Sequence, residues 1–88
     1  MKVEFRRSFT KDLKDIKDQD LLKRVRERVE LVEKAQTLQE IDNLRKLRGG
    51  DRYYRIRVGD YRIGLVVEGD KVIFVRFLHR RDIYRNFP

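Results

Sequence analysis

The chain has 88 residues, no cysteine, 40% apolar and 43% charged side chains, and a formal net charge of +8. That length supports one small domain, taken here as residues 1–88, and the missing cysteines exclude disulfide staples and thiolate chemistry. No apolar run approaches a membrane span or a secretory leader, so a soluble cytoplasmic protein without a membrane partner is expected.

Residues 2–6 alternate, with Val3 and Phe5 against Lys2, Glu4 and Arg6, and predict a short strand. Ser8 stands where an N-cap belongs, ahead of a helix with Phe9, Leu13 and Ile16 on one side. The cluster Lys17 to Asp20 breaks that helix and offers Asp18 or Asp20 as cap for a second one. This second helix runs to about Gln36 and carries Leu21, Leu22, Val25, Val29 and Val32 at spacings of three or four. Its Lys, Arg and Glu residues form a solvated face. Residues 37–43 read as a connector, and residues 44–48 as a short strand closed by Gly49-Gly50.

Three strands follow, over residues 52–58, 61–67 and 71–78. Gly59-Asp60 is the two-residue linker of a primed hairpin turn. Glu68-Gly69-Asp70 is expected to be a three-residue loop, which sets Arg76 opposite Arg62 on the sheet. The basic segment 79–87 predicts a helical turn. The fold class is therefore α+β: two N-terminal helices packed on one face of a mostly antiparallel sheet of four to five strands, with a short C-terminal helical segment.

The charge is unevenly placed. Residues 45–88 hold 12 basic and five acidic side chains, whereas residues 1–44 hold 11 and 10, so nearly all the excess lies in the second half. Strand alternation puts Tyr54, Ile56, Val58, Tyr61, Ile63, Leu65 and Val67 on the helix-covered face of the hairpin. Tyr53, Arg55, Arg57 and Arg62 fall on the other, with Arg57 opposite Arg62 and Gly64 beside Arg55. Gly64 leaves a point where a backbone or ligand could come close. Like charges opposed across strands repel, and a polyanion that neutralises them is the simplest reason for such a surface.

The tail adds His79, the single histidine, followed by Arg80, Arg81, Tyr84 and Arg85. A histidine titrates near ~6.5 when unperturbed, so at a strand end beside cations His79 is a candidate proton-transfer group. No second histidine, cysteine pair or convergent carboxylate set offers a metal site or cofactor site. Phosphotransfer built from Arg, His and Tyr suits RNA, whose own 2′-OH can attack the adjacent phosphorus.

With YRIRVGDYRIG at 54–64 and LHRRDIY at 78–84, the chain resembles the RelE/ParE superfamily of type II toxin–antitoxin toxins, nearest its RelE-like branch. The resemblance spans nearly the whole chain. It implies a metal-independent endoribonuclease of the mRNA interferase type, acting on mRNA in the ribosome and silenced by a cognate antitoxin protein. Cleavage would leave a 2′,3′-cyclic phosphate. It further implies that Arg55 and Arg57 bind RNA phosphates, that Arg62 stabilises the transition state, and that Tyr84 stacks on a base or assists at the 2′-OH. His79, Arg80 and Arg81 match the cluster that supplies the acid, and the resemblance leaves open which of them does so. Arginines stand where several members carry lysines. With a pKa above ~12 they are poor proton acceptors, so the general base is open as well. The alternatives are a ParE-like inhibitor of DNA gyrase and a non-catalytic RNA- or ribosome-binding module.

Overall fold

The computed structural model covers Met1–Pro88. Strand β1 (Lys2–Phe5) leads into helices α1 (Arg7–Lys14) and α2 (Gln19–Lys34), and a 3-10 turn (Leu38–Glu40) leads to β2 (Leu44–Lys46). The meander β3 (Tyr53–Val58), β4 (Tyr61–Glu68) and β5 (Lys71–His79) follows, and α3 (Arg80–Asn86) closes the chain. The sheet has five strands in the order β1-β5-β4-β3-β2. Only the β1–β5 pair is parallel. This is the expected α+β class, with the parallel outer strand making the sheet mixed.

The hairpin register is the expected one. Ile56 pairs with Ile63, Arg57 with Arg62 and Arg55 with Gly64. Ile56, Val58, Ile63 and Leu65 are buried in one cluster with Phe9, Leu21, Val25 and Val32 from the helices, and Tyr54, Tyr61 and Val67 pack at its margin. Asp18 caps α2, its carboxylate accepting from the N–H groups of Asp20 and Leu21 at 3.0 and 3.2 Å. α2 ends at Lys34. In the connector beyond it, the Glu40 carboxylate accepts from the N–H groups of Gln36 and Thr37, both at 2.9 Å. These bonds hold Glu40 below the usual carboxylate range. Its ties are therefore complete above that range and loosen as acid protonates the group.

The second turn corrects two expectations. Glu68 pairs with Lys71, so the turn is two residues, Gly69-Asp70, rather than three. The extra residue sits further along. Leu65 faces Phe74 and Gly64 faces Arg76, leaving Val75 as a bulge. Arg76 therefore stands opposite Gly64 and not Arg62. Its guanidinium turns to α1 and binds Asp12 through Nε at 2.8 Å and Nη2 at 3.2 Å, which raises the arginine further above its ordinary range. Arg76 thus leaves the cationic face.

Edge chemistry explains why α1 sits there. β1 covers β5 only as far as Phe74, and past it the β5 backbone is open. Asp12 accepts from the Phe77 N–H at 2.9 Å, and Ser8 Oγ donates to the Val75 carbonyl at 2.6 Å. Two side chains of α1 thus complete a strand edge that would otherwise keep unpaired backbone groups. Ser8 is accordingly not the helix cap. α1 starts two residues earlier than a Ser8 cap would set it, with Arg6 at the N-cap and no side-chain cap bond. Asp12→Ala should cost about 2–4 kcal/mol in urea unfolding, because it strands a half-buried guanidinium and an edge N–H together. Asp15→Ala, on the exposed end of the same helix, should stay within about 0.5 kcal/mol of the parent.

Candidate functional site

The face of the sheet away from α1 and α2 is divided in two. One part lies under α3 and the tail, where Ile73, Ile83 and Phe87 are buried outside the main core. Phe87 stands directly over Gly64: a Cβ built there would lie 2.8 Å from its ring. The close approach that Gly64 leaves open to a backbone or ligand is taken by the protein's own tail. Tyr53 meets Phe87 edge-on, with centroids 5.9 Å apart.

The remaining part is cationic. Arg45 lies opposite Arg55, and Arg57 opposite Arg62, so two like-charged pairs face each other across the strands. None of the four forms an ion pair; the salt bridges of the chain lie elsewhere. Arg62 is held from behind, Nη1 donating to the carbonyls of Gly59 at 2.8 Å and Tyr61 at 2.9 Å. Arg55 Nη1 reaches the Asn43 carbonyl at 3.4 Å. The Nε atoms of Arg55 and Arg62 are buried without any partner. A buried donor left unpaired is costly, and an anionic acceptor reaching this face would relieve it.

β2 and the residues just after it contribute what sequence reasoning missed. Arg45, Lys46, Arg48 and Arg55 line a cleft of about 370 Å³ together with Tyr84, Phe87 and Pro88. Arg45 and Arg55 also line a smaller depression with Asn43 and Arg57. The signal was present: pairing residues 44–46 with β3 sets Arg45 on the arginine face, but the strand is too short to fix its own partner. Tyr84, 59% exposed, forms one wall of the cleft. Arg57, Arg80 and Arg81 are exposed, and Arg55 and Arg62 are half-buried.

His79 is placed elsewhere. It pairs with Tyr61 as the last residue of β5, on the parity of the core. Its ring meets Tyr61 edge-on at 5.4 Å, beside Asp12, Asp15, Ile16 and Asp82. Nδ1 accepts from the Arg81 N–H at 3.2 Å, which makes His79 the N-cap of α3. The Arg80 N–H is tied to the Asp60 carbonyl at 2.8 Å. The structure thus gathers Arg55, Arg57, Arg62 and Tyr84 on one side, sets Arg80 and Arg81 at the start of α3, and turns His79 away.

Residues 3–84 match the family described as ParE toxin of type II toxin-antitoxin system, parDE. The chain is similar to Toxin RelE3 of Methanocaldococcus jannaschii, at 44% identity over the full length of both. Among solved structures it is similar to the RelB-RelE antitoxin-toxin complex from Methanococcus jannaschii, with TM-score 0.80, 41% identity, and 97% of this chain and 99% of that one covered. The archaeal RelE-RelB complex from Pyrococcus horikoshii shares the fold, with TM-score 0.72, 23% identity, and 90% and 93% covered.

Gly64→Ala should cost about 1–3 kcal/mol by pushing Phe87 off its seat. The freed tail should also be cut faster by trypsin after Arg85. A variant as stable and as protected as the parent would show that Phe87 does not hold the tail down.

Proposed function

The chain belongs to the RelE-like branch of the RelE/ParE superfamily and is the toxin of a type II toxin–antitoxin pair; from that premise we propose that it is a metal-independent endoribonuclease that cleaves mRNA on the ribosome. One observation carries the reading. Arg55, Arg57 and Arg62 share a face with no acidic partner, and two of them bury guanidinium nitrogens that nothing in the protein satisfies. RNA phosphates are acceptors of the right charge and geometry.

In the proposed reaction the RNA 2′-oxygen bonds to the adjacent phosphorus as the bond from phosphorus to the 5′-oxygen breaks. A 2′,3′-cyclic phosphate and a 5′-hydroxyl result. The 2′-OH loses a proton and the leaving 5′-oxygen gains one. Arg55 and Arg57 hold the phosphates flanking the scissile bond. Arg62, fixed by two carbonyls of the β3–β4 turn, stabilises charge on the phosphorane. Tyr84 stacks on a base or assists at the 2′-OH, and Arg80 and Arg81 make further phosphate contacts.

His79 acts here as a positioning residue. By capping α3 it sets where Arg80, Arg81 and Tyr84 stand, and its ring lies on the far side of the sheet from Arg62. The relatives solved with RelB support an antitoxin partner for this chain too. Such a partner would bring carboxylates to the arginine face and compete with RNA, more weakly as salt rises.

Removing a transition-state donor costs roughly 10²–10³ in rate at comparable sites. Arg62→Ala should therefore depress cleavage of mRNA far more than its binding, whereas Arg55→Ala should weaken both. His79→Asn, which keeps a cap acceptor, should retain most of the activity and an unchanged pH–rate profile. Loss of activity in His79→Asn, with a titration near neutrality removed, would instead make the imidazole a proton carrier. If Arg62→Ala cleaves mRNA as fast as the parent, the nuclease assignment fails.

A further inference from the structure

We infer that Asn43 is a positioning residue: a left-handed turn aims its main-chain carbonyl at the Arg55 guanidinium and holds that arginine in its RNA-binding pose. The inference rests on the ribonuclease reading above, which gives Arg55 its substrate role, and it concerns a residue outside the expected set.

Asn43 is the one non-glycine residue of the chain with a positive φ, at 64°. That backbone is uncommon for any residue with a side chain, and asparagine tolerates it better than most. It persists where the surrounding structure fixes it. Here the chain is fixed on both sides. Ile41 is buried in the core, Leu44 pairs with Ile56, and Asp42 and Asn43 form the turn between these anchors.

The turn brings the Asn43 carbonyl to β3. The oxygen accepts from the Arg57 N–H at 3.3 Å and from Arg55 Nη1 at 3.4 Å. The first bond extends the β2–β3 ladder one pair past Leu44 and Ile56. The second is the one hydrogen bond the Arg55 guanidinium makes within the protein. Its Nε has no partner, and it forms no ion pair. Arg45 stands opposite and repels it, so without the carbonyl no group of the protein holds the guanidinium in place. Both bonds are long and share one oxygen, so a small rotation of this peptide would lose them. The Asn43 side chain is exposed at the rim of the depression with Arg45, Arg55 and Arg57. What the site draws from Asn43 is its backbone conformation.

The test compares Asn43→Gly with Asn43→Val. Both remove the carboxamide. Glycine adopts the left-handed backbone freely, whereas a β-branched residue there is a steric outlier. Urea unfolding first establishes that each variant is folded. Two quantities are then measured: affinity for a 2′-O-methyl RNA, which cannot be cleaved by 2′-OH attack, and kcat/KM for cleavage of mRNA with ribosomes present. Asn43→Gly, the conservative variant for the backbone, should keep both within about two-fold of the parent. Asn43→Val should lose roughly ten-fold in each, the lower end for a hydrogen bond to a charged group. In an Arg55→Ala background Asn43→Val should add nothing, because the group it acts through is gone.

Equal losses in Asn43→Gly and Asn43→Val would overturn the inference and give the carboxamide its own contact with RNA. Additive losses in the double variant would overturn it too, because the turn would then act on more than Arg55. If Asn43→Val does not fold, Asn43→Ala, which strains the turn less, takes its place in both comparisons, with a loss of the same sign required. A folded Asn43→Val that binds and cleaves like the parent refutes the positioning role while the ribonuclease reading stands. A parent that neither binds nor cleaves RNA overturns both.

Discussion

The arginine face follows from the parity of one hairpin. Burying Ile56, Val58, Ile63 and Leu65 against α1 and α2 stabilises the fold by about 1.5–3 kcal/mol for each side chain. Opposed like charges across the strands cost at most about 1 kcal/mol per pair. Packing therefore wins, and the register cannot slip to separate Arg57 from Arg62 without turning the whole core to water. The arginines are left facing one another, and their mutual repulsion is kept available for a polyanion to relieve.

The second half of that face is closed by the chain's own end. Gly64 has no side chain, Phe87 takes the space, and α3 is held in place by His79 at its cap and by the Arg80 N–H on the Asp60 carbonyl. The turn between β3 and β4 thus serves two purposes. It fixes Arg62 through the carbonyls of Gly59 and Tyr61, and it anchors the start of the helix that carries Tyr84. Arg62 and the start of the helix that carries Tyr84 are thus tied to one corner of the sheet.

Much of this was legible in the sequence, and the exceptions have physical causes. Period-two alternation and the Gly59-Asp60 turn were enough to sort the β3–β4 hairpin, because a two-residue linker admits one register. The β4–β5 pair was not, since neither the two-residue turn nor the bulge at Val75 carries a decisive local signature, and together they shift Arg76 and His79 two places along β4 without changing their parity. Asp12 reads in sequence as one more charge on a helix surface; its tie to Arg76 and to the edge of β5 is visible only once β1 is seen to stop short. The same holds for Ser8. Of the site, the cations on the long strands were readable, whereas Arg45 depended on how a three-residue strand pairs, and Arg48 on the path of the loop beyond it.

The central claim is that the unpaired arginine face works on RNA. It is tested most directly by incubating the purified protein with mRNA in excess chelator, with and without ribosomes, and identifying the chemical ends of any products. The account predicts fragments ending in 2′,3′-cyclic phosphate and beginning with a 5′-hydroxyl. Intact mRNA in both reactions, together with inhibition of DNA gyrase supercoiling by the same preparation, would contradict it and place the chain's activity with the ParE-like toxins.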